Sequence, residues 1–192
     1  MLTKRLLLAL MLALITGCSH EPASLPEFTR VKKLAEAGDP GYQWGLGLMY
    51  ATGQGVPKNS REAVKWWQKA AEQGVVLAQS NLGYAYANGT GTPKDEVEAA
   101  KWWRMAAEQG YPTAQCNLGR MYEVGMGVPR DDELAYAWLN LASVSDNDAR
   151  GYRDALEKRL TPEIKERAQK LSTALHREIE AKKAIKRANQ HR

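Results

Sequence analysis

The chain has 192 residues, 44% apolar and 26% charged, with a formal net charge of +5. Those proportions suit a folded domain or short array and exclude a disordered polymer, a collagen and a multi-span membrane protein. Two cysteines, Cys18 and Cys116, exclude a disulfide framework, and three dispersed histidines (His20, His176, His191) offer no metal-ligand spacing.

Lys4 and Arg5 precede an apolar run from Leu6 to Ile15. About ten residues are too few to span a bilayer, which takes roughly 20, but fit the apolar region of a signal peptide. The run ends in Leu14-Ile15-Thr16-Gly17-Cys18. This resembles the lipobox of a bacterial lipoprotein, which implies cleavage before Cys18 and diacylglycerol on its thiol. The alternative is a plain secretory signal with an incidental cysteine. Residues 1–17 are thus expected to be a signal peptide and 18–28 a lipidated tether. The ten residues after Cys18 are proline-bearing and reach at most about 35 Å when extended. Ser19 resembles the sorting signal for the outer membrane.

From residue 29 the chain matches itself at an offset of 36. Gly38, Gly74 and Gly110 align, as do Leu46, Leu82 and Leu118, and Tyr50, Tyr86 and Tyr122. The glycine pairs 53/55, 89/91 and 125/127 align, followed by Pro57, Pro93 and Pro129. Ala63, Ala99 and Ala135 then align, with Trp66, Trp102 and Trp138 and with Ala70, Ala106 and Ala142. A fixed period of this size signals a stacked array. Each unit reads as two helices. In the second unit, Ala78, Leu82, Ala85 and Tyr86 predict helix A over 76–88, and Gly89 to Pro93 break it. Helix B starts at Asp95, with Glu98 completing a capping box that Asn59 and Glu62 repeat. Gly74 and Gly110 close the B helices, and Asp39-Pro40 opens the first A helix.

The pattern A-Q-x-x-L-G-x-x-Y-x-x-G-x-G-x-P-[KR]-[DN]-x-x-x-A-x-x-W-x-x-[AS] resembles the Sel1-like repeat, a relative of the tetratricopeptide repeat. The resemblance implies an all-α fold, an α/α solenoid wound as a right-handed superhelix. The expected order is a half-repeat cap at 29–38, repeats at 39–74, 75–110 and 111–146, and C-terminal capping helices with a basic tail at 147–192. In the cap, Tyr152, Ala155, Leu156 and Leu160 predict a helix over about 148–160. Thr161-Pro162 starts a second, with Ile164, Ala168, Leu171, Leu175 and Ile179 on one stripe. Fraying is expected beyond Ala184. The two helices are expected to form a capping pair.

No catalytic constellation is present, and an enzyme is not expected. The loop glycines resemble anion-binding turns, but Asn59, Asp95 and Asp131 sit at the helix starts, where an anion would be repelled. Some cysteine-rich Sel1-like proteins are associated with β-lactam chemistry; their paired cysteines are missing here. Cys116 occupies a variable helix-A position and is expected to be an inert thiol. Trp66, Trp102 and Trp138 are expected in the core. Trp44 recurs in no other unit and is either an exposed contact or packed against the N-terminal half-repeat. Residues 19–149 carry 12 Lys and Arg against 16 Asp and Glu, whereas 150–192 carry 13 against 6. The basic end is a solvated cap face, or it meets anionic lipid or an acidic partner.

The resemblance implies a role in protein–protein interaction. With the lipobox, this gives a membrane-tethered scaffold or adaptor in the bacterial cell envelope, lipid-anchored on the periplasmic face of the outer membrane. A non-catalytic binder of peptidoglycan or glycan is the alternative. The partner is an unidentified envelope protein; no nucleic acid, cofactor or metal is expected, and the chain is expected to be monomeric. Helix A lines the concave face in tetratricopeptide relatives. The stripe opposite Leu46 and Tyr50 changes chemistry from unit to unit. Its expected contact residues are Trp44 and Leu48, then Ser80, Tyr84 and Asn88, then Arg120, Glu123 and Val124.

Overall fold

The computed structural model describes residues 25–190; the expected signal peptide, Cys18 and the start of the tether lie outside them. Among the described residues the chain forms nine α-helices and no strand: α1 (Leu25–Glu36), α2 (Pro40–Thr52), α3 (Ser60–Glu72), α4 (Val76–Asn88), α5 (Glu96–Glu108), α6 (Pro112–Val124), α7 (Asp132–Ala142), α8 (Asn147–Glu157) and α9 (Pro162–Gln190). Helices α1 to α7 each pack on the next in sequence, the signature of a solenoid in which contacts stay between neighbours. The fold is an α/α solenoid.

The helix pairs α2/α3, α4/α5 and α6/α7 share one construction. Leu46, Leu82 and Leu118 are fully buried, as are Ala63, Ala70, Ala99, Ala106, Ala135 and Ala142. Alanines on the B helices let backbones approach closely. Gly53, Gly89 and Gly125 end the A helices with φ of +81°, +69° and +75°, a left-handed conformation that favours glycine. Glycines 91 and 127 do a second job. A methyl group at Gly91 would overlap the backbone carbonyl of Ser60, and one at Gly127 that of Glu96. Each loop therefore rests on the first turn of the previous unit's B helix.

The B helices are capped by Asn59, Asp95 and Asp131, whose side chains accept from backbone N–H groups two or three residues on. The reciprocal half of the expected capping box does not form. The cap residue's own N–H instead donates to the carbonyl of Tyr50, Tyr86 or Tyr122 at 2.8–3.0 Å, tying the start of helix B to helix A. Glu62 and Glu98 turn outward to Lys65 and Lys101.

Four expectations need correction. The tether does not run extended to 28: α1 begins at Leu25, and Phe28 packs edge-on against Tyr50 with ring centroids 6.0 Å apart. Of the three aligned tryptophans, Trp138 is buried but Trp66 and Trp102 are only half-buried. Helix α9 continues to Gln190 rather than fraying at Ala184; Ala, Lys and Arg are good helix formers even where no core lies beneath them. And α8 and α9 are not a packed pair. Helix α8 packs on α7, and α9 folds back across α7, joined by Asn140 donating to Ser172 (3.0 Å) and Arg167 to Glu133 (2.5 Å).

Candidate partner-binding face

The A helices present their variable stripe opposite the buried leucines. Tyr84 is 41% exposed, Leu48 37% and Val124 63%; Asn88 and Arg120 are exposed as well. Ser80 is not on this surface: it is buried at 3%, and Cys116, at the same register one unit on, is buried at 6%. Packing between neighbouring units closes the stripe at these first-turn positions, so only its C-terminal half opens to solvent. Trp44 is half-buried and packs against the cluster of Val64, Ala70, Ala78 and Leu82, with its indole N–H buried. That cluster is shared by the first and second units.

The exposed side chains are held in place. The Tyr84 ring stands edge-on to Trp103, centroids 5.2 Å apart, and its hydroxyl accepts from Asn117 Nδ2 at 2.9 Å. The Arg120 guanidinium lies 4.5 Å over the Tyr152 ring. Glu123 is paired with Arg159, so its charge is already spoken for within the chain. Asn88 donates to its own helix at the Tyr84 carbonyl, 3.0 Å away. Arg120 and Asn117 also line a groove of about 190 Å³, with Ala87, Trp103, Val124 and Met126.

Sequence reasoning missed Asn117, Met126, Tyr152 and Trp103 at this face. Trp103 and Trp67 follow the aligned tryptophans by one residue and were masked by Leu139 in the third unit. Their indoles lie directly over Gly83 and Gly47, where a methyl group would overlap the ring. That explains why the residue after each buried leucine has no side chain.

Burial, reinforced by the Asp146 charge, pushes the Cys116 thiol up to about 11, so it stays protonated and unreactive at neutral pH. Among the described residues no group of three His, Cys, Asp or Glu side chains could hold a metal ion, and no helix is long and apolar enough to cross a membrane.

The Sel1 repeat family model matches residues 40–75, 76–111 and 112–143, which are the three helix pairs. The chain belongs to the Sel1 repeat family. Proteins built from Sel1 repeats generally mediate protein–protein interaction, and the repeat is a non-catalytic scaffold. The chain is similar to c5321, a protective antigen of uropathogenic Escherichia coli with the same repeat fold: 37% identity, TM-score 0.74, over 86% of this chain and 36% of that one. It is also similar to a Sel1 repeat protein from Oxalobacter formigenes, at 41% identity and a TM-score of 0.58, over 59% of this chain and 47% of that one. Cysteine-rich protein B of Helicobacter pylori shares the fold, with 19% identity and a TM-score of 0.53 over 70% of this chain and 97% of that one. The Sel1 array here thus spans less than half the length of the first two relatives. No curated protein matches the chain.

Proposed function

We propose that this Sel1 repeat protein is a membrane-tethered adaptor of the bacterial cell envelope that binds a protein partner on the open half of its A-helix stripe. The observation that carries the reading is the set of rigidly held, exposed side chains there. Tyr84 is fixed by Trp103 and Asn117 and Arg120 by Tyr152, and Trp103, Asn117 and Arg120 line a groove beside them. Tyrosine and arginine held in place lose little entropy on binding and are enriched where interfaces concentrate their energy. The tether in this reading is diacylglycerol on Cys18, placing the array at the periplasmic face of the outer membrane.

The glycan alternative draws no comparable support. Sugar stacking needs an open indole face, whereas Trp44 is half-buried in the core and Lys69 covers Trp66 at 4.2 Å from its ring centre. The deciding experiment places a photo-crosslinking amino acid at Val124 and, as a control, at Val144, which is 83% exposed but off the face. One protein crosslinked from 124 and not from 144 in intact envelopes supports the adaptor. Retention on purified sacculi with no crosslink from 124 overturns it.

A further inference from the structure

Helix α9 is 29 residues long, about 44 Å, and outruns the helix it packs on. Its inward stripe is Ile164, Ala168, Leu171, Leu175 and Ile179 while it crosses α7. Continued at the same spacing, the stripe becomes Lys183 and Lys186. The change falls where α9 leaves α7 and passes over the C-terminal end of α5 and the N-terminal end of α4. There it roofs a groove of about 430 Å³ floored by Val76 and Met105, the latter 44% exposed, and walled by Glu108, Lys182, Lys183 and Lys186.

The charges in this groove are not all accounted for by the fold. Lys182 is held by Glu178 at 2.8 Å and Glu108 at 3.4 Å. Lys183 pairs with Glu180 at 2.9 Å and lies beside Gly110, where the carbonyl end of α5 favours a cation. Lys186 has no such reason to be there. No acidic residue follows Glu180 in the sequence, Lys182 and Lys183 are its neighbours one turn back, and like charges at that spacing repel. A lysine on the inward stripe, in a cluster of three, above an uncovered methionine, is a complement waiting for carboxylates attached to something apolar.

We infer that the groove under the end of α9 is a second binding site, separate from the A-helix face, for a partner peptide carrying an apolar side chain flanked by acidic residues. The apolar side chain covers Val76 and Met105, and its flanking carboxylates meet Lys186 and Lys183. A membrane surface fits less well, because a plane that meets these partly exposed lysines leaves the floor of Val76 and Met105 uncovered. It would favour the opposite side of the helix, where Ile185 is 62% exposed.

The test uses the folded chain from residue 19 onward and a fluorescein-labelled hexapeptide of two leucines between glutamate pairs, read by fluorescence anisotropy. Saturable binding is expected, weakened at least tenfold by Lys186→Glu and by Met105→Asp, and lost when the peptide's glutamates become glutamines or its leucines alanines. Ile185→Glu, the same one-unit charge change as Met105→Asp but on the outward side, is expected to leave affinity within twofold. Circular dichroism confirms that each variant stays folded. Equal weakening by Ile185→Glu and Met105→Asp would mean unspecific charge attraction and overturn the site. So would binding to phosphatidylglycerol vesicles that depends on Ile185 in place of peptide binding. Weakening by Tyr84→Ala instead would move the peptide to the A-helix face, sinking this inference while leaving the adaptor reading intact.

Discussion

Gln109 Nε2 donates to Gln79 Oε1 at 2.8 Å, across 30 residues of chain, and Gln79 Nε2 donates in turn to the carbonyl of Ala71 at 3.1 Å. The same rung joins Gln73 to Gln43 at 2.7 Å and Gln43 to Ala35 at 3.2 Å, and Gln115 reaches Ala107 at 3.2 Å. The acceptor is each time one of the last carbonyls of the previous helix, which lack a partner within their own helix. The buried glutamine thus satisfies the end of one unit while being satisfied by its own. Gln79→Leu strips both contacts, leaving the Ala71 carbonyl its backbone bond from Gly74 at 2.9 Å but no side-chain donor. The expected loss is about 1–3 kcal/mol in urea denaturation. Gln109→Leu should cost less, being half-exposed. The double variant should lose less than the sum, because the two share one bond.

The loop glycines are not equivalent, and single alanine substitutions will rank them. Alanine at Gly89 meets Lys94 Cβ at 3.4 Å, an ordinary contact, and bears only the cost of a positive φ, about 1–2 kcal/mol. Alanine at Gly91 bears a similar φ cost and collides with the Ser60 backbone, which cannot move without shifting the preceding unit. Thermal melts should show Gly91→Ala and Gly127→Ala clearly less stable than Gly89→Ala and Gly125→Ala. Equal melting temperatures would mean the inter-unit contact is not made.

Gly83 and Trp103 test the close approach inside a unit. Gly83→Ala should cost about 1–3 kcal/mol as the indole is forced off the helix. The third unit solves the same problem with Leu139 over Gly119. Combining Gly83→Ala with Trp103→Leu should therefore cost less than the two single losses added together, with a coupling of at least about 0.5 kcal/mol.

These three cases divide what the sequence shows from what it hides. Helix pairs, loops and caps were legible because the same residue recurs at one offset: a glycine seen at 53, 89 and 125 announces a backbone requirement three times over. The glutamine rungs recur just as faithfully at 43, 79 and 115, yet a polar residue gives no sign of being buried until its distant acceptor is known. The path of α9 was hidden for another reason. Lys183 and Lys186 ended the apolar stripe, so the helix was expected to fray, whereas its propensity carries it on. At the candidate face, Ser80 failed because a stripe drawn on one isolated helix ignores the neighbours that close its first turn.

Cys116 gives the array an alkaline signature. Its thiol is raised from 9.0 to about 11 in the folded chain, first by burial. Between those values the unfolded chain has released the proton and the native chain has not. The stabilising contribution is complete below pH 9 and is lost as the pH rises toward 11. Urea midpoints measured from pH 8 to 11 should fall, and Cys116→Ala should flatten that fall even though it lowers the starting midpoint by opening a small cavity. An unchanged slope would show that the thiol ionises as readily in the native chain.

The anchor separates from the fold. Cys18→Ser removes the thiol that would accept the lipid and should leave unprocessed precursor. Normal processing, with the variant still fractionating with membranes, would refute lipid attachment at this residue.

The partner face separates affinity from stability. Tyr84 and Arg120 are exposed, and Val124, 63% exposed, borders the groove. Val124→Asp should keep the melting temperature within about 2 °C, since surface changes fall within about 0.5 kcal/mol. Tyr84→Ala and Arg120→Ala also lose their contacts with Trp103 and Tyr152 and should cost about 1 kcal/mol each without unfolding the chain. Against the protein crosslinked from position 124, Tyr84→Ala and Arg120→Ala should each weaken binding by about 2 kcal/mol, roughly thirtyfold. Trp44→Ala should behave in the opposite way. Its ring packs on the core cluster that joins the first two units, so its loss opens a hole there and lowers the melting temperature first. If the Tyr84, Arg120 and Val124 changes combined left affinity untouched, the A-helix stripe would not be the partner's seat. Retention of binding by that triple variant together with its loss in Lys186→Glu would reassign the partner to the groove beneath α9.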